Sequence, residues 1–149
     1  MGEYFADNVA RLIAAVPADL ETGIRLCHGE RDGHSFIEPL DLGEAIEFAT
    51  HVVERVEHTL NWVHVPVPIG RDDDAYNAPL RSRQLPDAAE LYLGLVHAAD
   101  GLDGTRRRIA VAERFVPEFG IAAECGFARA RRPNVVKQFL ETHAGAAAL

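Results

Sequence analysis

Four short apolar segments recur along this chain, and each ends in or beside a cysteine or a histidine. The residues that mark them are Cys27, His64, His97 and Cys125, at intervals of roughly 30 residues. That interval is the length of one strand, one helix and two connections. Because strands joined by helices run parallel, their carboxyl ends gather at one edge of the domain, where side chains can share a pocket. The repeat therefore predicts an α/β fold with its chemistry at that edge.

Helical and strand patterns alternate along the chain in the order α(βα)4. We expect a single domain, 1–149, with an N-terminal helix in 1–17, four strand–helix units in 22–143 and a frayed tail in 144–149. The alternation predicts a parallel sheet with right-handed crossovers.

The formal net charge of −8 argues against nucleic acid as a partner, because phosphate binding needs a basic face. One basic run, Arg106–Arg108, is interpreted as a solvated helix face. A second group, Arg129, Arg131 and Arg132, follows Cys125 and can reach an anionic ligand. No GxGxxG or GxxxxGK[ST] motif occurs, so no nucleotide cofactor is expected.

No apolar run approaches the roughly 20 residues that span a bilayer, so no membrane partner is expected. The first residues lack the pattern of a secretory signal, which predicts a cytoplasmic protein. In such a compartment two cysteines are more often free thiols or metal ligands than a disulfide.

Three motifs, read in order, resemble a known enzyme family. They are LYLGLVH at 91–97, DGLDGTRRRI at 100–109 and ECGF at 124–127. From Thr22 onward the chain resembles the second half of the catalytic barrel of cobalamin-independent methionine synthase and its short bacterial relatives, in the superfamily that includes uroporphyrinogen decarboxylase. The resemblance covers strands five to eight of a (βα)8 TIM-type barrel. It therefore implies a (βα)4 half-barrel with parallel strands.

The resemblance also implies zinc chemistry. In the family, zinc activates the homocysteine thiol for attack on a methyl donor, because the ion lowers the pKa of a bound thiol. The family ligands are His-x-Cys, Glu and Cys-Gly; here the first motif reads Arg-Leu-Cys at 25–27 and the Glu position falls on Pro66. Cys27, Cys125 and His64 with water would form a replacement Cys2His set. The alternative interpretation is two small buried thiols and a core histidine.

Roles for residues at the strand ends follow from the same comparison. His97 matches a histidine that the family places beside the substrate as a proton donor, and Cys27 and Cys125 are the candidate catalytic thiols. The candidate substrate-binding residues are Arg25, His64, Glu124 and Arg129.

Arg25 replaces a metal ligand and would point into a barrel interior. A buried arginine needs an anionic partner, because an unpaired buried charge costs several kcal/mol. The partner is Glu124, one of Asp72–Asp74 in the long loop after the second strand, or a carboxylate of the ligand. Alternatively, the strand faces are reversed and the side chain extends outward to solvent.

A four-stranded parallel half-barrel leaves two strand edges unpaired. We expect a homodimer that closes an eight-stranded barrel, with Cys125 near Cys27 of the partner. The alternatives are a separate chain that supplies the other half, or an open sheet with a new partner surface.

Two classes of function compete at this point. The first is an enzyme that acts on a small polar or acidic metabolite at the carboxyl-end rim by thiol or methyl transfer, or by proton-transfer or lyase chemistry. The second is a catalytically degraded ligand-binding or accessory half-barrel protein. Barrels carry many chemistries, so the fold alone does not choose between them.

Overall fold

A four-stranded parallel sheet forms the centre of the chain in the computed structural model, which describes residues 2–31, 34–57, 59–86, 88–125 and 131–149. The elements in chain order are α1 (Gly2–Ala14), β1 (Gly23–Arg25), β2 (Glu30–Arg31), β3 (His34–Ser35), α2 (Gly43–Val53), β4 (Trp62–Pro66), α3 (Asp74–Asn77), a 3₁₀ helix (Ala78–Ser82), β5 (Glu90–Val96), α4 (Gly101–Ala112), β6 (Gly120–Ala123) and α5 (Pro133–Ala146).

The strands of the sheet follow the order β1-β4-β5-β6, and all neighbours are parallel. Each strand therefore lies beside the next one in the chain, and β1 and β6 are the edges. This arrangement confirms the predicted α/β class with a parallel sheet. All carboxyl ends point to one edge of the domain, as strand–helix repeats require.

The two faces of the sheet differ in composition. The register places Ile24, Val63 and Leu91 side by side on one face, and all three are buried. Side chains of α1, α2 and α4 pack on this face in the main hydrophobic core. Burial of aliphatic side chains on this scale is the main source of folding free energy.

The opposite face carries larger and more polar side chains. Arg25, His64 and Tyr92 are registered neighbours there, beside Trp62 on β4. His64 is buried, whereas Trp62 and Tyr92 are half-buried and Arg25 is exposed. We call this partly covered surface the open face.

Local structure departs from the sequence predictions mainly in the connections. The polar loop after β1 contains a β2–β3 hairpin, and the long loop after β4 contains α3 and the 3₁₀ helix. The last helix continues to Ala146, into the segment expected as a frayed tail. Among the residues that the structure describes, no helix is long and apolar enough to cross a membrane.

Candidate ligand-binding site

A cavity of about 600 Å³ lies at the carboxyl ends of β4, β5 and β6, next to the first turns of α5. The sheet therefore places a pocket where parallel α/β folds bind their ligands. Its lining combines apolar and titratable side chains: His28, Glu38, Pro66, Val67, Pro68, Ile69, His97, Ala98, Ala99, Glu124, Cys125, Arg131, Val135 and Gln138.

His97 and Glu124 form a hydrogen-bonded pair in the wall of this cavity. The ring nitrogen Nδ1 of His97 lies 3.0 Å from Oε2 of Glu124, and Nε2 lies 2.8 Å from the backbone oxygen of Val67. His97 follows β5, Glu124 follows β6 and Val67 follows β4, so three adjacent strand ends meet at this imidazole. His97 is only 5% exposed, whereas the side chain of Glu124 is 19% exposed.

The partners of His97 restrict where its protons can be. A carbonyl oxygen only accepts hydrogen bonds, so the Nε2 atom must carry a proton and donate it to Val67. With Nε2 protonated, the contact between Nδ1 and Glu124 is a hydrogen bond only when one of these two groups also carries a proton. Of this pair, the carboxyl group is the more exposed member. Proton exchange with a ligand would therefore occur at Glu124.

Arg131 supplies a cation to the same wall. Its Nη2 atom lies 3.5 Å from Oε1 of Glu124, and its side chain is 23% exposed. Gln138 on α5 donates to the backbone oxygen of Ala98 at 3.1 Å and so attaches α5 to the end of β5. A guanidinium at the rim of a polar pocket is a suitable partner for a ligand carboxylate.

An ion pair between buried Arg108 and half-buried Asp100 lies next to the site. Arg108 on α4 is 1% exposed and binds both carboxylate oxygens of Asp100, at 2.6 and 2.9 Å. It also donates to the backbone oxygens of Leu95 and Ile69, at 2.8 and 2.9 Å. Burial acts to raise the pKa of Asp100, but the hydrogen bonds and charge of Arg108 outweigh it and hold that pKa below its ordinary value.

The prediction that the run 106–108 is a solvated helix face is therefore wrong for Arg108. Arg106 and Arg107 do face solvent, with side chains 53% and 59% exposed. Position 108 instead lies on the helix stripe that includes Thr105 and Val111, both buried. A charged residue is tolerated in this stripe because each of its three guanidinium nitrogens donates to at least one acceptor.

A second group of polar side chains lies at the upper end of the open face. Cys27 and Arg25 lie close enough to Cys125 to affect its pKa, and Arg25 lies close enough to His64 to do the same. Burial and the contact with Cys27 raise the pKa of Cys125, and the charge of Arg25 only partly opposes them. Cys125 also lines the cavity, so it joins the two groups.

His64 remains neutral in this environment. Burial, and then the charge of Arg25, lower its pKa to about 4, with an opposing contribution from the backbone of Ala123. Its Nε2 atom is buried and makes no hydrogen bond to the described residues. The absence of a side chain at Gly94 leaves room on β5 for the imidazole of His64. A Cβ atom at position 94 would lie 3.0 Å from His64 Nε2, from the backbone oxygen of Ala123 and from Cα of Pro66.

The structure thus divides the residues predicted from the sequence into two neighbouring groups. His97, Glu124 and Cys125 line the cavity, whereas Arg25, His64 and Cys27 lie on or above the open face. Arg129 lies outside the described residues. None of the predicted anionic partners contacts Arg25 within the described residues; it is exposed and lies beside a thiol and an imidazole.

The carboxylates of Asp72–Asp74, in the loop after β4, contact other groups than Arg25. Asp72 pairs with Arg107 at 3.2 Å and Asp74 with Arg114 at 2.9 Å. Asp73 accepts a hydrogen bond from the backbone of Tyr76 and thereby begins α3. These carboxylates therefore attach the loop to α4 and start a helix.

The described residues give the replacement zinc set no independent support. Across the described ranges, no three His, Cys, Asp or Glu side chains come close enough together to hold a metal ion. The cation of Arg25 beside Cys125 would also oppose a second positive charge. Zinc binding by Cys27, Cys125 and His64 stays a prediction that metal analysis can test.

Three contributions to the cavity were missed at the sequence level. Glu38 comes from the loop beyond the β2–β3 hairpin, and Gln138 comes from α5. The third is the backbone oxygen of Val67, which fixes the His97 ring. Only Gln138 has a recognisable signature, because it is a polar residue near the apolar stripe of α5 that contains Val135 and Phe139.

No protein-family model matches this chain, and searches of curated proteins and of solved structures return no match.

Proposed function

We propose that this chain is a TIM-type half-barrel that binds a small polar or acidic metabolite in the cavity at its strand ends. Two features of the fold support the half-barrel. The strands lie in sequential order, and α1, α2 and α4 pack on a single face, as in one half of a (βα)8 barrel. The resemblance to cobalamin-independent methionine synthase leads to the same architecture.

The observation that carries the proposed chemistry is the pair of His97 and Glu124 in the cavity wall. The Nδ1 atom of His97 lies 3.0 Å from Oε2 of Glu124, and the carboxyl group of Glu124 has access to the cavity. We assign Glu124 as the group that exchanges a proton with the ligand and His97 as the residue that positions its carboxyl group. Arg131 would pair with an anionic group of the ligand.

Proton-transfer or lyase chemistry is supported better than thiol or methyl transfer. A thiol that acts as a nucleophile needs an accessible thiolate, and burial raises the pKa of Cys125. Among the described residues, no group of three His, Cys, Asp or Glu side chains supports zinc activation of a thiol. By contrast, an acid–base pair needs only the groups that are already hydrogen-bonded.

We further propose that two copies close an eight-stranded barrel. The edges β1 and β6 have the same direction, so β6 of one copy can extend the sheet through β1 of the other. In a dimer with two-fold symmetry, both edge strands would be paired, and the second copy would cover Trp62 and Tyr92 on the open face. Sedimentation at micromolar concentration should give a dimer; a stable folded monomer would contradict this and favour a separate chain as the missing half.

The second candidate is a binding or accessory protein without catalysis. The observation that favours it is the enclosure of His97, which uses both ring nitrogens and is 5% exposed. Such a histidine can serve only to hold Glu124 in place. The cavity would then recognise a ligand through Arg131 and Glu124 without a reaction.

One experiment separates the two candidates. The protein is mixed with acetate, malonate, succinate, malate and homocysteine, binding is read as a thermal shift, and proton exchange is read by NMR as loss of ligand C–H signals in D2O. We expect at least one carboxylate to bind and to exchange. Exchange without added enzyme and with boiled protein gives the background.

Three variants assign the roles in the same assays. Arg131→Met should weaken binding at least about tenfold, which corresponds to the loss of one charge-assisted contact. Glu124→Gln should keep binding and lose exchange by about 10² to 10⁴-fold. Glu113→Gln, at the exposed end of α4, is the matched control and should change neither. Binding without exchange in the wild type would favour the second candidate, and no binding by any ligand would contradict both.

A further inference from the structure

Large apolar side chains are exposed on two of the long helices, and these two helices lie at opposite ends of the helix layer. Leu12 on α1 is 72% exposed, Leu140 on α5 is 56% exposed, and Phe5 on α1 is exposed as well. Along α2 and α4, both fully described, no large apolar side chain is exposed. Because α1 precedes the edge strand β1 and α5 follows the edge strand β6, this apolar surface lies beside the two sheet edges.

On α1, the exposed apolar residues lie on the flank that faces away from α2. The helix packs against α2, and Asp7 accepts a hydrogen bond from Nε of Arg55, just after α2, at 2.7 Å. At about 100° per residue, Phe5 and Leu12 share a flank that is opposite to Asp7. This flank therefore points past β1, where the sheet of one chain ends.

On α5, the exposed apolar residue lies in the same way on the flank that faces away from α4. Gly145 is on the α4 side, because a Cβ atom there would lie 3.5 Å from Cδ2 of Leu102. Gln138 binds the backbone that follows β5. Leu140 is on the flank opposite to both, and the half-buried Val136 continues the stripe one turn earlier. This flank therefore points past β6.

The two stripes match in spacing, direction and charge. Their apolar positions are Phe5, Val9 and Leu12 on α1 and Val136, Leu140 and Ala144 on α5. Helices that alternate with parallel strands run in one direction, so α1 of one copy can lie parallel to α5 of another. Opposite charges border the stripes, because Arg11 and Glu141 are exposed on their solvent sides. Such a border pair favours one orientation more than it adds affinity.

We propose that α1 of one copy packs against α5 of a second copy, with Phe5 and Leu12 against Leu140, and that this contact occurs twice in a two-fold dimer. The proposal rests on the half-barrel dimer proposed above and names the helices that close its outer layer. A second copy is favoured as the occupant because one chain carries both complementary stripes, each beside an unpaired strand edge.

The helix contact distinguishes a closed barrel from other dimers. If two open faces stacked on each other, the helices would stay on the outer surfaces and both stripes would remain exposed to water. When β6 of one copy extends into β1 of the other, the two helices meet on the same side of the sheet. Position 12 of one copy then lies near position 140 of the other, while the two copies of position 12 lie at opposite joints.

The first test is cross-linking between proteins that each carry one cysteine. Both native thiols are replaced in a Cys27→Ser, Cys125→Ser background that sedimentation shows to be dimeric, and Leu12→Cys and Leu140→Cys are made separately in it. After subunit exchange, a short bis-maleimide should link the two proteins in the mixture and should link neither protein to itself. Leu40→Cys, at an 89% exposed residue before α2, is the control and should give no product with either protein.

The second test uses charge substitutions in protein that keeps both native cysteines. Leu12→Glu and Leu140→Glu each place a charge in the contact at both joints, and each should raise the dimer dissociation constant at least about tenfold. Leu40→Glu should leave the constant unchanged. Because Leu12 and Leu140 are exposed within one chain, the circular dichroism of both variants should match the wild type.

The outcomes separate this proposal from the dimer on which it rests. A dimeric wild type, with no cross-link in the mixture and unchanged dissociation constants in Leu12→Glu and Leu140→Glu, would overturn the helix contact and leave the dimer. Self-linking of Leu12→Cys would overturn the predicted arrangement of the joints. A monomeric wild type at micromolar concentration would overturn both the helix contact and the dimer.

Discussion

The neutral, buried His64 makes a quantitative prediction about the pH dependence of stability. Its pKa is about 4 in the folded protein, against an ordinary value of about 6.5 in an unfolded chain. Between these two values the unfolded state binds more protons than the folded state. The free energy of unfolding must therefore rise with pH in this window, and stability is lost as the pH falls from about 6.5 towards 4.

The size of the effect follows from the same two pKa values. Protonation of the unfolded histidine destabilises the fold by about 0.2 kcal/mol at pH 7 and by about 2 kcal/mol at pH 5. His64 should therefore account for about 2 kcal/mol of the stability lost between pH 7 and pH 5. Carboxylates also titrate as the pH falls, so the prediction concerns the difference between the wild type and a variant that lacks this imidazole.

The perturbation is His64→Phe, which keeps a ring of similar size but does not titrate, and His64→Asn is a second variant if the first repacks the open face. Urea unfolding at pH 5, 6, 7 and 8 gives the free energy of unfolding for each protein. We expect the wild type to lose about 2 kcal/mol more than the variant between pH 7 and pH 5. His143→Asn, which removes a histidine from α5 instead of the sheet, is the matched control.

Parallel curves for wild type and His64→Phe would refute this reasoning, because they would mean that the imidazole titrates alike in both states. A direct check is the NMR titration of the imidazole C–H signals of His64. In Arg25→Met its pKa should rise towards the ordinary value, because Arg25 is the second contribution to the shift after burial.

The other predictions concern positions where the structure leaves little freedom. Arg108→Met should lower the free energy of unfolding by about 3 kcal/mol, since it removes the bidentate partner of the half-buried Asp100 and leaves only Arg107, at 3.8 Å. The exposed Arg106→Met should change it by less than about 0.5 kcal/mol in the same urea titration. Gly94→Ala should lower the free energy of unfolding by about 1–3 kcal/mol, because the new methyl group lies 3.0 Å from two backbone atoms and an imidazole nitrogen. Gly70→Ala is the control, since its methyl group would meet no atom within 4 Å and should leave stability unchanged. Equal effects of the two variants in thermal unfolding would contradict the close approach at Gly94. Asp73→Ala removes the side-chain cap of α3 and should lower the free energy of unfolding by about 1 kcal/mol. Unchanged stability in thermal unfolding would mean that the cap does not form in solution.

The sheet was predictable because its determinants are local. Apolar runs such as 91–97 and 62–65 at strand–helix spacing fix the class, and the alternation with helices fixes the parallel direction. The hairpin in the loop after β1 and the two short helices after β4 were not predictable in this way. They depend on single capping contacts, such as the one from Asp73, and not on a repeated pattern.

The lining of the cavity was predictable only in part. His97, Glu124 and Cys125 line one cavity, as expected because the carboxyl ends of parallel strands lie at one edge of the sheet. The role of His97 depends on the oxygen of Val67, which belongs to the backbone and leaves no trace in the sequence. The buried position of Arg108 depends likewise on carbonyl groups of two other segments, so its charge alone suggested a solvated residue.

The most direct test of the account is to map ligand binding onto the chain by NMR. Uniformly ¹⁵N-labelled protein is titrated with the small carboxylate that gives the largest thermal shift, and backbone amide shifts are recorded for the wild type and for Arg131→Met. We predict shifts clustered at Val67, Ile69, 97–99 and 124–125, together with Gln138, and a loss of this cluster in the variant. Shifts centred on another surface, or the same cluster at unchanged affinity in Arg131→Met, would contradict the proposal that this cavity is the functional site.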